Sequence, residues 1–428
     1  MSVKRILVLC GKSEIPVIKK AFKGMIDYSV DTKAIEDILE LGMDAYTKSM
    51  IEAINQNPDL YDGIVGTRDE SSVAANIICE RTNKSGTSVD SMIKCQNKYI
   101  SRTTQQQYSP DSTPGFWLDK DYLALSNPTF PVFAKPVRAN ICYASHKVDS
   151  PLLLQELIKN NHGDISMFNS HYLKALELTD TALMELNKET SNHFICEELI
   201  ASGTQLTVNG YVYNQEVQLY GLVKSVFHAD GISFSHHEYP YHLSTDLNNY
   251  LERIITKLVQ GIGLNNTFFN VEVKVDEDTG SVYVIEVNGR MAFQFAKTIE
   301  ALTGYPLIRW LADIAVGQRP QKREVTREFN YCYNFELREF KDQFILKTPS
   351  NEDINRIYRL YPEVVIRSLV KPNTKLSDYK QNPKSFRYCM LDIPGYNRED
   401  IMKKLEVITS QLGYEFTETF RDFDTASY

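Results

Sequence analysis

The segment FNVEVKVDEDTGSVYVIEVNGR, Phe269 to Arg290, constrains the fold more than any other stretch of this chain. Two runs rich in β-branched and aromatic residues flank a DEDTG turn signal, the pattern of an antiparallel hairpin. Side chains alternate faces along a strand, so Val271, Val273 and Val275 share one face and Asn270, Glu272 and Lys274 the other. The same alternation puts Glu286 and Asn288 on one face of the returning strand, opposite Tyr283, Ile285 and Val287. Any register whose paired numbers sum to an even value lays Glu272 on the Glu286 and Asn288 face, with the three polar groups roughly 5–8 Å apart. Like charges that close are unfavourable unless a cation or a raised pKa resolves them. Two carboxylates and an amide oxygen suit a hard cation such as Mg²⁺, which completes its shell with water and phosphate. A solvated edge hairpin is the plainer alternative. The metal reading gains because Glu286-Val287-Asn288 runs directly into Gly289-Arg290, where a strand end can present a cation to a metal-bound anion.

Upstream, short apolar runs alternate with helical periods from Lys4 to about Lys98: ILVLC at Ile6 to Cys10, helices near Ile15 to Phe22 and Ala45 to Asn55, GIV at Gly63, then Ser71 to Arg81. This alternation predicts βαβ units and a small parallel sheet. No GxGxxG follows the first strand, and Gly11-Lys12-Ser13 lacks the leading glycine of a P-loop, since Ile6 occupies its place. The polar, proline-containing run TTQQQYSPDSTPGFWLDK reads as a connection. FPVFAKPVRAN reads as a strand delivering Lys135. Helices are expected near Pro151 to Asn160 and Tyr172 to Asn187, and strands from His193 onward, with turns at Asn209-Gly210 and Asn214-Gln215. A helix near Thr245 to Gln260 leads into the hairpin. Thr298 to Val316 reads as a helix broken at Gly304 to Pro306, and the tail holds the strand YCYNFELREF and a helix near Arg398 to Gly413.

Lys and Arg total 47 against 55 Asp and Glu, a formal charge of -8, which disfavours a general nucleic-acid binder. No run approaches the ~18 apolar residues of a membrane span, and the apolar stretch in MSVKRILVLCG is too short for a signal peptide. Seven scattered cysteines (Cys10, Cys79, Cys95, Cys142, Cys196, Cys332, Cys389) without a CxxC argue against a disulfide framework or zinc cluster. The expectation is a cytoplasmic protein with reduced thiols. His236, His237 and His242 read as structural or substrate-loop groups, because adjacent histidines in a strand face opposite ways. Cys142 and Ser145 lack a triad context, and QRPQKRE from Gln318 reads as a solvated face.

Four ordered motifs make the chain resemble the ATP-grasp superfamily, and within it the carboxylate–amine ligases such as the L-amino acid ligases. They are KCQNKY with Lys98, VFAKPV with Lys135, ICEELIASG with Glu197 and Glu198, and the VEV and IEVNGR strands with Glu272 and Glu286, in order between Lys4 and Pro320. The resemblance implies an α/β ATP-grasp fold: an amino-terminal parallel-sheet domain (1–100), a lid subdomain (101–200), a metal and nucleotide subdomain (201–323) and a carboxy-terminal α+β domain (324–428). It implies that Lys98 and Lys135 contact ATP phosphates, Lys135 also lying near the adenine, and that Glu197 and Glu198 with Leu199 and Ile200 form the adenine hinge. By the same resemblance Gln205 takes the ribose position, Glu272, Glu286 and Asn288 bind two Mg²⁺ ions, with Mn²⁺ as an alternative, and Arg290 steadies the transferred phosphoryl group. The implied reaction is ADP-forming amide ligation of small carboxylate and amine substrates through an acyl phosphate, with no nucleic-acid or membrane partner; a homodimer is one assembly it allows. Purine-pathway or carboxylase-type chemistry, or a non-catalytic nucleotide sensor, are the rival readings. Two departures stand out: no glycine lies between Lys135 and His162, where the family carries a glycine-rich phosphate loop and where Arg138, Asn140 and Ser145 are the substitute donors, and an extra residue in EELIASG leaves open which glutamate opens the hinge.

Overall fold

A computed structural model describes residues 3–139, 143–200, 202–322, 328–379 and 385–417. Asn140, considered as a phosphate-loop donor, and Cys142 lie outside the described residues. The chain divides into two compact units: residues 1–222, 242–296 and 306–323 form the first, and 223–241, 297–305 and 324–428 the second.

In the first unit the expected βαβ alternation produces a three-stranded parallel sheet in the order Tyr28–Ala34, Lys4–Cys10, Gly63–Gly66. Its central strand is buried from Ile6 to Cys10 because helices cover it, as parallel sheets require. The helix Asp69–Arg81 leaves the end of Gly63–Gly66 and is buried from Ser71 to Cys79. A second, four-stranded antiparallel sheet runs Phe116–Leu118, Phe194–Glu198, Val132–Pro136, His146–Val148 and carries Lys135 and Glu197. The two helices expected after it are resolved differently, as one helix Pro151–Leu176 followed by a short Met184–Thr190. Gly163 does not break the longer one, since a single interior glycine costs only about 1 kcal/mol and Ile165, Asn169 and Tyr172 continue its buried face.

The third sheet of this unit places Ser281–Asn288 beside Thr267–Asp276, which pairs antiparallel with Thr204–Tyr213. The turn expected at Asn214-Gln215 is present, both residues having positive φ (47° and 67°). Asn209-Gly210 is not a turn: both lie inside the strand Thr204–Tyr213. A Cβ on Gly210 would stand 2.3 Å from the Phe269 ring, so glycine serves close packing there. The run read as a connection also departs from expectation, because Lys98–Tyr108 is a helix capped by the Asn97 side chain. Its Ser101, Arg102, Thr104 and Gln105 are buried, and a helix whose hidden face is polar shows no apolar period.

In the second unit the strands Phe234–Tyr239, Tyr331–Glu339, Phe386–Gly395 and Val365–Ser368 pair antiparallel in that order. The helices Asn351–Leu360 and Arg398–Gln411 bury Ile357, Ile401 and Ile408 with Leu391 and Ile393 of the sheet. His236 stacks on Tyr333 and Phe335, while His237 sits near Ser225 (3.1 Å) and Glu336 (3.6 Å). The six described cysteines are buried and unpaired, and burial pushes the Cys79 and Cys95 thiols up to about 12. Among the described residues no helix is long and apolar enough to cross a membrane.

Candidate functional site

The hairpin has the even-sum register at its functional end: Asn270 faces Asn288 and Glu272 faces Glu286. Beyond that point the pairing shifts by one residue, to Val273 with Val284, so Ile285 is the extra residue of a β-bulge. The bulge corrects the expected alternation. Val282, Val284 and Val287 are the buried positions of this strand, at 2%, 0% and 0% exposure, whereas Tyr283 pairs with Lys274 on the carboxylate side. In an unbroken strand Glu286 would follow Val282 and Val284 into the core. The bulge at Ile285 turns it to the face of Glu272.

The polar face is dense. Burial first, and then the Glu286 charge, raise the Glu272 carboxyl to about 7. Lys98 Nζ lies 3.2 Å from Glu286 Oε1, and Gln205 Nε2 donates to Glu272 Oε2 at 3.1 Å. Asn288 Nδ2 donates to Asn270 Oδ1 (3.1 Å), which leaves the Asn288 carbonyl oxygen for another partner. Asn270 Nδ2 in turn donates to the Arg290 carbonyl (3.0 Å). Two acidic oxygen donors that repel each other, joined by an amide oxygen with a fixed flip, fit a divalent hard cation.

The second group of predicted residues gathers around Glu197. Its carboxylate takes a forked pair of hydrogen bonds from Arg102 (Nε to Oε1 2.8 Å, Nη2 to Oε2 3.2 Å) and lies 3.0 Å from Lys135 Nζ. Burial opposes ionisation of Glu197, yet Arg102 and Lys135 outweigh it and hold the carboxyl down at about 2. Lys135 is nevertheless lowered: burial acts first, the Arg102 and Lys98 charges add to it, and Glu197 offsets them only in part. One carboxylate between two buried cations is a locally cationic site suited to an anion. Glu198 points the other way, exposed, accepting from the Gly115 N–H at 3.1 Å. The inward glutamate of the strand Phe194–Glu198 is therefore Glu197. Leu199 is 38% exposed, and the Ile200 carbonyl accepts from Lys274 Nζ at 3.0 Å. Gln205, placed at a ribose by the resemblance, donates to Glu272 in this structure.

Arg290 meets a partner the sequence did not reveal. Its Nε and Nη2 fork onto Asp69 at 2.6 and 3.1 Å. Burial would raise Asp69, but Arg290 prevails and lowers it. Gln96 Nε2 donates to the Asp69 carbonyl (2.6 Å) and Arg138 Nη2 to Gln96 Oε1 (3.2 Å). Arg138, considered as a substitute phosphate donor, thus stacks on Tyr172 and is engaged by Gln96 and Asn169. Ser145 is half-buried and donates to the Tyr143 carbonyl. Asp69, Arg102 and Lys274 went unassigned because their partners are distant in sequence, and Asn270 although its partners lie in the same hairpin. Only Asn270 and Lys274 carried a signal, their place on the Glu272 face. Among the described residues no group of three or more His, Cys, Asp or Glu gathers as a metal site, which leaves the two-carboxylate, one-amide face as the candidate.

Residues 129–298 match the family described as ATP-grasp domain. No curated protein sequence matches the chain. Among solved structures, the L-amino acid ligase from Bacillus licheniformis is similar with a TM-score of 0.74 at 14% identity, covering 98% of this chain and 100% of that one. Phosphoribosylglycinamide synthetase from Anaerococcus prevotii gives 0.64 at 19% identity, with 97% and 100% covered. Biotin carboxylase from Campylobacter jejuni gives 0.65 at 15% identity, with 97% and 92% covered. With Lys135, Glu197, Glu272 and Glu286 all inside the matched segment, the chain carries an ATP-grasp domain at residues 129–298 within an ATP-grasp fold.

Proposed function

We propose that this chain is an ADP-forming carboxylate–amine ligase that activates a small carboxylate, in the favoured form an amino acid, as an acyl phosphate and passes the acyl group to an amine. The observation that carries this reading is the bulged hairpin, which sets Glu272, Glu286 and Asn288 on one face with Lys98 3.2 Å from Glu286. Likeness to an L-amino acid ligase over nearly the whole chain supports the amino-acid form. Carboxylates are poor acyl donors, so the γ-phosphoryl of ATP moves to a carboxylate oxygen, ADP leaves, and the amine then displaces phosphate from the acyl carbon. Glu272, Glu286 and Asn288 would hold Mg²⁺, which supplies charge neutralisation between the phosphates. Lys98 and Lys135 would bind phosphate oxygens, with Glu197 fixing Lys135. Arg290, oriented by Asp69, would offer its remaining donors to the transferred group. Such chemistry is positioning and electrostatics, and needs no side-chain nucleophile.

Mixing the protein with Mg·ATP and a panel of amino acids should release phosphate and ADP in equal amounts only when an acceptor amine is present. Tight ATP binding with no ADP for any pair would leave the sensor reading standing; ADP formed with bicarbonate alone would favour the carboxylase type. Asp69→Asn keeps the shape but removes the charge that forks Arg290. It is expected to lower kcat by on the order of tenfold to a hundredfold with little change in the KM for ATP, the mark of an interaction made in the transition state. A raised KM at unchanged kcat would remove Asp69 from that role.

A further inference from the structure

Arg102 is 2% exposed, and all five of its N–H donors are engaged: two by Glu197, one by Gln105, and one each by the Val284 (2.5 Å) and Ile285 (3.0 Å) carbonyls. Consecutive carbonyls of a regular strand point to opposite edges, so one guanidinium can hold two in a row only where a bulge has turned one of them. These are the bulge residues that aim Glu286 at Glu272. An extra strand residue leaves backbone polar groups outside the ladder, and buried carbonyls without partners are costly. Arg102 satisfies them from a rigid planar fork, and the same fork grips the carboxylate that fixes Lys135.

We propose that Arg102 is a positioning residue that clasps the Ile285 bulge to Glu197, so that the nucleotide end of the site and the aim of Glu286 are set together. This rests on the ATP-ligase reading above and adds a coupling to it. Without the clasp the bulge can relax, and an unbulged strand carries Glu286 toward the core face with Val282 and Val284. The metal face would be lost while Glu272 and the hinge strand stay in place.

The experiment measures binding of a fluorescent ATP analogue to the full chain as Mg²⁺ is titrated, and again in EDTA. The variants are Arg102→Lys, Glu286→Gln and the double variant, with Gln105→Leu as a milder way of loosening the guanidinium should Arg102→Lys fold poorly. Lysine keeps the charge and loses the fork. Arg102→Lys should raise the Mg²⁺ concentration for half-maximal binding by about tenfold or more, as for other groups that orient metal ligands, while binding in EDTA changes less. In the Glu286→Gln background Arg102→Lys should add almost nothing, because both changes remove the same ligand. Additive losses, or an equal loss with and without Mg²⁺, overturn the coupling, as does an unshifted Mg²⁺ curve in both Arg102→Lys and Gln105→Leu. If the unsubstituted chain shows no Mg²⁺-dependent binding, the ATP reading itself falls, and the coupling with it.

Discussion

Glu286→Gln should lower ADP formation by on the order of 10³-fold or more while leaving the melting temperature unchanged or slightly higher. A divalent cation stabilises developing charge on phosphoryl oxygens by several kcal/mol, and each 1.36 kcal/mol is about a factor of ten in rate. A neutral amide in place of Glu286 weakens that cation's hold and leaves Glu272 as the one carboxylate of the face. The fold does not suffer, because removing one of two facing carboxylates relieves repulsion: the Glu286 charge is among the causes that raise Glu272 to about 7. Glu272 should then ionise more readily. The Lys98 ammonium loses its partner at 3.2 Å, but both groups are partly exposed and the loss is small. Full activity in the variant would remove the hairpin from the chemistry. A large drop in melting temperature would instead mark Glu286 as a structural ion-pair partner of Lys98.

Much of that site was readable from the residues alone, for a definite reason. Strand periodicity is local, so alternation in Phe269 to Arg290 was enough to place Glu272, Glu286 and Asn288 together. The register at Asn270–Asn288 bears this out. What periodicity could not show was the bulge, because VYVIEVN reads equally well as an unbroken strand, and the guanidinium that holds Ile285 comes from a helix far upstream. The polar run from Thr103 reads as a connection because the helix Lys98–Tyr108 that it continues buries only Ile100 among apolar residues: Ser101, Arg102, Thr104 and Gln105 are hidden by hydrogen bonding and ion pairing. Asn209-Gly210 shows the converse failure, a strong local turn signal overruled by packing against Phe269. The ordering of Lys98, Lys135, Glu197 and Glu286 along the chain carried the fold, while Asp69 and Arg102 emerge only when the elements are brought together in space.

Glu197→Ala should cost the first unit about 3–5 kcal/mol, the range for breaking a buried ion pair by removing one partner. Arg102 and Lys135 are 2% and 6% exposed, and without Glu197 both cations remain buried near Lys98 with no carboxylate between them. Glu198→Ala one residue away is the control, since an exposed carboxylate that accepts one backbone N–H should change stability by about 0.5–1 kcal/mol or less. The pH dependence fixes the cause. Glu197 has its folded pKa held at about 2, below the ordinary 4.5, so its contribution is present above the unfolded value and disappears as pH falls through the folded one. The gap in melting temperature between the unsubstituted chain and Glu197→Ala should be widest and flat above pH 5 and should narrow steadily between pH 4.5 and 2. Glu197→Gln, which can still accept from Arg102 but carries no charge, should fall between the two and show no such narrowing relative to Glu197→Ala. A gap that ignores pH would mean that packing of the side chain, and not its charge, stabilises the strand Phe194–Glu198.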